Sequence, residues 1–129
     1  MLEVEGKILN TIVSILIDSK SSLSYIALRV VEKCKLLKEK QRSVWLVQLA
    51  TGVKRKVTEI VKYCKLSFSD MDTIVELKIL PLGSYDILIG MDWLESHKTI
   101  INCLNKRFDC IDEEGNCLTI KGIYRPISI

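Results

Sequence analysis

A chain of 129 residues makes one domain by length, too short for two independent cores. Hydrophobic residues at 48% and charged residues at 27% are ordinary for a globular protein and argue against disorder. The formal net charge of +3 is mild, and its basic residues (Lys33, Lys35, Lys38, Lys40, Arg42, Lys54, Arg55, Lys56) are interleaved with apolar ones, which reads as solvated faces rather than a nucleic-acid footprint.

In chain order, Val4–Asn10 and Thr11–Asp18 read as two short strands turning near Asn10, the second apolar on both faces as a central strand should be. The apolar run Ile8–Ile17 is broken by Asn10, Thr11 and Ser14; it is too short to span a membrane, and its flanks do not fit a signal peptide. Ser19–Ser24 is a polar turn cluster, after which Ile26, Val30, Val31 and Cys34 recur at helical spacing within Tyr25–Leu36. Lys38–Ser43 reads as a charged loop. Val44–Leu49 and Val53–Val61 are strands either side of Ala50-Thr51-Gly52, a hairpin signal in which glycine is free to take positive φ.

Val61–Phe68 and Thr73–Leu80 form a second pair around Ser69-Asp70-Met71-Asp72. Pro81-Leu82-Gly83-Ser84 is a loop, Ile87–Gly90 a buried strand, and Asp92 reads as the N-cap of a short helix Trp93–His97. Ile100–Ile111 and Cys117–Ile123 make a last hairpin turning at Glu113-Glu114-Gly115-Asn116. The expectation is a mostly β domain with two short helices, encoded inside something larger and without a leader of its own.

Five cysteines (Cys34, Cys64, Cys103, Cys110, Cys117) form no Cys-x-x-Cys pair, and His97 is the only histidine, so no metal or other cofactor is expected. The odd count fits reduced thiols in an intracellular, cytoplasmic setting, packing as small hydrophobes. Phe68, Trp45, Trp93 and Phe108 read as core or groove wall rather than as a base-stacking platform.

Chemistry concentrates at the end of the second strand. Ile15-Leu16-Ile17 delivers Asp18 and Ser19 to a turn, and a second apolar strand ends in glycine at Ile87-Leu88-Ile89-Gly90. Peptide hydrolysis by carboxylates needs two of them sharing one proton. The ionised one takes a proton from water while the protonated one hydrogen-bonds the scissile carbonyl. Like charges about 3 Å apart cannot both ionise, so the titration belongs to the pair. One Asp-Ser in a chain of this length implies a homodimer, with Asp18 and its symmetry mate on the two-fold axis. Asp86 and Asp92 fit better as a strand-start and a helix-cap residue than as in-chain partners of Asp18.

These stretches, with Leu23-Ser24-Tyr25-Ile26, Val47-Gln48-Leu49-Ala50-Thr51-Gly52 and Leu80-Pro81-Leu82-Gly83-Ser84-Tyr85-Asp86 running on through Met91-Asp92-Trp93-Leu94, carry a resemblance. Over residues 1–129 the chain resembles the retropepsin-like aspartic protease domain of Ty3/gypsy-type retrotransposons, plant elements especially. The resemblance implies a closed β-barrel with a flap hairpin and one or two short helices, homodimeric, that cuts a Gag-Pol-type polyprotein in an extended conformation. It makes Asp18 catalytic, and Ser19 the hydroxyl bracing the active-site loops across the dimer. Ala50, Thr51 and Gly52 become the flap tip over the substrate. Ile89 and Gly90 become the strand threading under the catalytic loop, and Asp92 a structural residue at the start of the last helix. The setting it implies is the cytoplasm and virus-like particles, with no nucleic-acid or membrane partner.

One position departs from the pattern. The family has Asp-Ser/Thr-Gly, and here the third residue is Lys20. A side chain there takes space, and a positive φ would add about 1–2 kcal/mol of strain. Two ammonium groups near the axis would also hold both carboxylates ionised. Low or absent activity is therefore expected unless the lysines swing to solvent. The rival reading is a catalytically inactive dimer of the same fold acting as a protein-interaction module; a small nucleic-acid-binding β-barrel is a third, against which the modest charge counts.

Overall fold

The structure, a computed structural model, describes residues 2–48, 52, 54–68, 71–102 and 104–122, with the backbone alone described at 42–45. Among the described residues, ten strands and two helices follow one another as β1 (Leu2–Ile8), β2 (Thr11–Ile17), β3 (Tyr25–Ile26), α1 (Leu28–Lys33), β4 (Glu39–Gln48), β5 (Lys54–Phe68), β6 (Met71–Ile79), β7 (Ile87–Ile89), α2 (Met91–Ser96), β8 (Ile100–Asn102), β9 (Arg107–Ile111) and β10 (Cys117–Lys121). Seven strands form one sheet in the order β1-β2-β7-β3-β6-β5-β4, and β8–β10 form a second sheet of three.

Alternation explains β1, whose Leu2, Val4 and Ile8 point inward between more exposed neighbours. Along β2, Ile15, Leu16 and Ile17 are all buried, the mark of a strand covered on both faces, and it is paired with β1 at one edge and β7 at the other. The large sheet curls until β1 meets β5 at Lys7↔Ser67. Gly6 permits that approach: a Cβ there would lie 2.8 Å from the carbonyl oxygen of Ser67.

The main core fills the space between the sheets and α2. Phe68 of β5, Trp93 of α2 and Phe108 of β9 are 2%, 3% and 0% exposed, and their rings meet at 5.5–6.5 Å in edge-on and tilted contacts. The Trp93 indole N–H donates to Thr73 Oγ1 (3.1 Å), whose hydroxyl donates to Glu113 Oε1 (3.0 Å), so the one polar group on that tryptophan is satisfied and α2 is tied to the second sheet. These three aromatics are core, as expected; the Trp45 side chain lies outside the described residues.

Several boundaries differ from the sequence reading, each for a physical reason. The stretch 39–43, taken as a charged loop, is strand, because Glu39↔Ile60 and Lys40↔Glu59 extend the β4–β5 ladder and leave the charges in water. The strands expected at 53–61 and 61–68 are one 15-residue strand, bent by a register shift between Val61 and Cys64. Tyr25–Ile26 is a strand before α1, and the tail has three strands, since Lys106 turns back at φ 52° between β8 and β9.

Three cysteines, Cys34, Cys64 and Cys110, are buried and free, while Cys117 is exposed against expectation; Cys103 lies outside the described residues. Burial, with the nearby Cys34 adding, pushes the Cys64 thiol up to about 11, which keeps it a neutral packing group.

The β9–β10 turn is held by one carboxylate. Asp112 Oδ1 accepts the backbone N–H groups of Asn116 (2.8 Å) and Glu114 (3.0 Å). The Asn116 bond, more than any other, holds its carboxyl below the ordinary 3.8. A depressed folded-state value stabilises above the unfolded one and is lost as pH falls through the folded one. Asp112→Ala should therefore melt earlier than the parent at neutral pH, and thermal unfolding followed by circular dichroism should show that gap closing below the unfolded-state value.

Candidate active site

The site is built where β7 inserts between β2 and β3. It runs parallel to β2 (Ile15↔Ile87, Leu16↔Leu88, Ile17↔Ile89) and antiparallel to β3 (Tyr25↔Leu88, Ile26↔Ile87). Residues 18–24 therefore loop from one flank of β7 to the other. The Asp18 N–H donates to Ile89 O at 3.0 Å, so the aspartate leaves β2 at the last rung of the ladder. Its Oδ1 accepts the Lys20 backbone N–H at 2.9 Å, and among the described residues Oδ2 has no protein partner. The carboxylate is half-buried, and Ser19 and Lys20 are exposed.

Gly90 lets the loop pass. A Cβ at this position would sit 2.2 Å from the carbonyl oxygen of Leu23 and 2.7 Å from that of Ser21, both backbone atoms with little room to move. Its N–H donates to Ser24 Oγ (3.0 Å), which in turn donates to Asp92 Oδ1 (2.6 Å). The first N–H groups of α2, which have no partner within the helix, donate outward: Met91 N to Ser21 O (2.7 Å) and Asp92 N to Ser22 O (3.1 Å). Asp92 lies in the first turn rather than at the N-cap, which is Gly90. Its carboxylate also accepts the N–H groups of Ser24 (3.2 Å) and Trp93 (2.8 Å). Burial, with the Asp92 carboxylate adding, raises the neighbouring Tyr25 phenol above its usual value and keeps it neutral.

Asp86 is equally committed elsewhere. Ser14 N–H donates to its Oδ2 (2.8 Å), and Arg29, which also donates to the carbonyls of Gly83 and Tyr85, reaches its Oδ1 (3.1 Å). Asp86 and Asp92 thus both act as braces. Of the aspartates considered, Asp18 alone presents a carboxylate oxygen without a protein donor among the described residues.

Lys20 takes a milder position than the sequence suggested. Positive φ among the described non-glycine residues occurs at Leu9, Lys35, Lys98 and Lys106 only, so the expected backbone strain at Lys20 is absent, and its N–H still reaches the carboxylate. What remains is the side chain's size and its charge. Of the flap tip, Ala50 and Thr51 lie outside the described residues; Gly52 is exposed with φ +87°, the conformation the hairpin reading asked of it. Sequence reasoning missed Ser24, Arg29 and Ser14, which brace the loop and the approach to β7. Their small or charged side chains carry no pattern until β7 is placed between β2 and β3.

A β7 strand threaded through the β2–β3 loop, with a carboxylate at the loop's start and a glycine beneath it, defines a retropepsin-like domain. The model of the retroviral aspartyl protease family matches residues 4–116, and the chain belongs to that family. Among solved structures, the retroviral protease-like domain of Ddi1 from Leishmania major superposes with a TM-score of 0.74 at 20% identity, covering 96% of this chain and 94% of that one, a likeness of fold. No curated protein matches the chain. No helix among the described residues is long and apolar enough to cross a membrane, and no group of three or more His, Cys, Asp or Glu there is placed to hold a metal ion.

The close approach at Gly90 sets a test. Gly90→Ala must push the 21–23 backbone away, so it should cost about 2–3 kcal/mol, the upper part of the range for overpacking. A melting temperature within about 2 °C of the parent would show that the loop is not seated where it is described.

Proposed function

We propose that residues 1–129 form one aspartic endopeptidase domain, half of a homodimer whose active site is a dyad of Asp18 from each subunit. The reading is carried by one observation: Asp18 ends β2 with Oδ1 held by a backbone N–H and Oδ2 without a protein donor. On this reading the Lys20 and Ile89 backbone contacts fix the carboxylate plane, and Ser19 faces its symmetry mate. The ionised Asp18 removes a proton from water, and the resulting hydroxide adds to the scissile carbonyl. The protonated Asp18 hydrogen-bonds the carbonyl oxygen; the proton taken from water then passes from the other Asp18 to the nitrogen as the C–N bond breaks, leaving a carboxylic acid and an amine.

Beside the loop, Leu23, Val47, Leu82 and Leu88 pack partly buried on Tyr25, Val57 and Leu80, an apolar floor for hydrophobic side chains. An extended peptide would add as a strand between this floor and the flap tip at Ala50, Thr51 and Gly52. The β1–β5 contact closes the sheet into a barrel on this reading. The substrate class is a Gag-Pol-type polyprotein of a retrotransposon, processed in the cytoplasm and in virus-like particles, with no nucleic-acid or membrane partner. Lys20 favours a second reading: two ammonium groups near the axis disfavour the shared proton, leaving a dimer that binds peptides without cutting them.

The decisive experiment is hydrolysis of matched polyprotein-junction peptides, with sedimentation of the same samples. A concentration-dependent dimer is expected, and a strict monomer at high micromolar concentration removes the shared site. Asp18→Asn should keep fold and dimer while turnover falls to background. Asp86→Asn and Asp92→Asn should retain turnover and lose stability; loss of catalysis in a folded variant of either would contradict the dyad.

Because Lys20 carries no positive φ, its size should matter less than its charge. Lys20→Gly, Lys20→Ala and Lys20→Met should therefore raise kcat by similar factors, within the roughly 10²–10⁴-fold that acid–base catalysis supplies. Rates equal to the parent in all three would show that the ammonium groups stay in solvent. Rescue by glycine alone would restore the crowding account.

A further inference from the structure

The flap hairpin has two unlike faces, and an arginine stands on the unexpected one. Between Gln41 and Thr58 the chain carries Arg42, Lys54, Arg55 and Lys56 and no acidic residue. The ladder pairs Gln48↔Lys54, Val47↔Arg55, Leu46↔Lys56 and Trp45↔Val57. Directly opposed residues share a face, and faces alternate along each strand. Val57 is fully buried, and Val47 packs against the same cluster as Leu23, Leu82 and Leu88. Arg55, opposite Val47 and two residues from Val57, therefore lies on the face turned towards the apolar floor. Lys54 and Lys56, with the 60% exposed Leu46, lie on the outer face.

Arg55 is exposed and has no ion pair among the described residues. The nearest acid along its own face of β5 is Glu59, four residues away, or about 13 Å at strand rise, and it already faces Lys38 Nζ at 4.0 Å. A guanidinium beside a peptide groove, with no carboxylate of its own, is suited to a carboxylate brought by the peptide. Its planar fork takes both oxygens at once, a contact that Lys54 or Lys56 on the far side has no path to make.

We infer that Arg55 is a specificity-determining residue, selecting a peptide with an acidic side chain at one position beside the hydrophobic residues that flank the scissile bond. The inference rests on the protease reading above and deepens it. An extended substrate turns alternate side chains to opposite sides, so one position, and not its immediate neighbours, meets the guanidinium. The rest of the flap's positive charge acts at longer range and favours acidic peptides without regard to position.

The test uses peptides with a non-cleavable statine core, each carrying Glu, Gln or Lys at one of three positions on either side of the core. Their dissociation constants for the full chain are measured by fluorescence polarisation, and since all share one core the comparison between positions requires no turnover. One position should prefer Glu over Lys by about five- to twentyfold, the attraction of one charge adding to the repulsion of the other. Arg55→Ala should flatten that position and Arg55→Glu invert it, while Lys54→Glu should shift all positions by a similar, smaller factor. Binding with no positional charge preference, or a preference that Lys54→Glu removes as fully as Arg55→Glu, overturns the inference and leaves the protease reading standing. Failure of every peptide to bind a chain that sediments as a folded dimer overturns the protease reading, and the inference with it.

Discussion

Everything in this domain that bears on chemistry depends on three residues of strand. β7 is only Ile87–Ile89, yet it is hydrogen-bonded on both sides and buried at Ile87 and Ile89. Its insertion forces the chain between β2 and β3 to cross over it, and that crossing is the loop of Asp18. The carboxylate is not positioned by its own side-chain contacts so much as by the ladder beneath it. The Asp18 N–H is the last rung, and the next residue along β7 is a glycine because a backbone runs over its Cα. Apolar burial fixes the strand, the strand fixes the loop, and the loop fixes the carboxylate.

The helix that follows completes the arrangement by an exchange of unmet hydrogen-bond demands. The start of α2 has N–H groups with no helical partner, and the 21–22 segment has carbonyls with no sheet partner; each satisfies the other. Asp92 then closes a small polar knot with Ser24 and Gly90. Ser24 is 1% exposed, so removing the Asp92 carboxylate would leave a buried hydroxyl without that acceptor, which costs more than the bond itself.

Most of this was legible in the sequence where the signal is apolar and periodic. Ile15–Ile17 and Ile87–Ile89 are apolar runs of isoleucine and leucine that read as strands on their own, while their pairing came from the resemblance rather than from periodicity. Charged strands were not legible: Glu39–Arg42 gives no alternation, and only its partner β5 makes it strand. Helix ends were hidden for a different reason. Both helices finish with a lysine in the left-handed region where glycine is usual, Lys35 at φ 52° and Lys98 at φ 47°. The backbone bonds Leu36 N to Val31 O and Thr99 N to Leu94 O show the same closing turn in each. The backbone conformation at Lys20 was not legible either, since a glycine in a pattern suggests a special φ that this loop does not use.

The spacing of the contacts along the chain has a consequence for how the domain comes into being. Ser14 meets Asp86 across 72 residues and Ser24 meets Asp92 across 68, whereas the β1–β2, β4–β5 and β5–β6 hairpins close locally. Loop closure over such distances is entropically costly and is repaid only when the strand docks, so the hairpins can assemble first and the threading of β7 comes late. During synthesis from the N-terminus, Asp18 leaves the ribosome long before the strand that shapes its loop. A nascent or truncated chain ending before Ile87 carries the aspartate but not its setting, and the site comes into existence only with the completed fold.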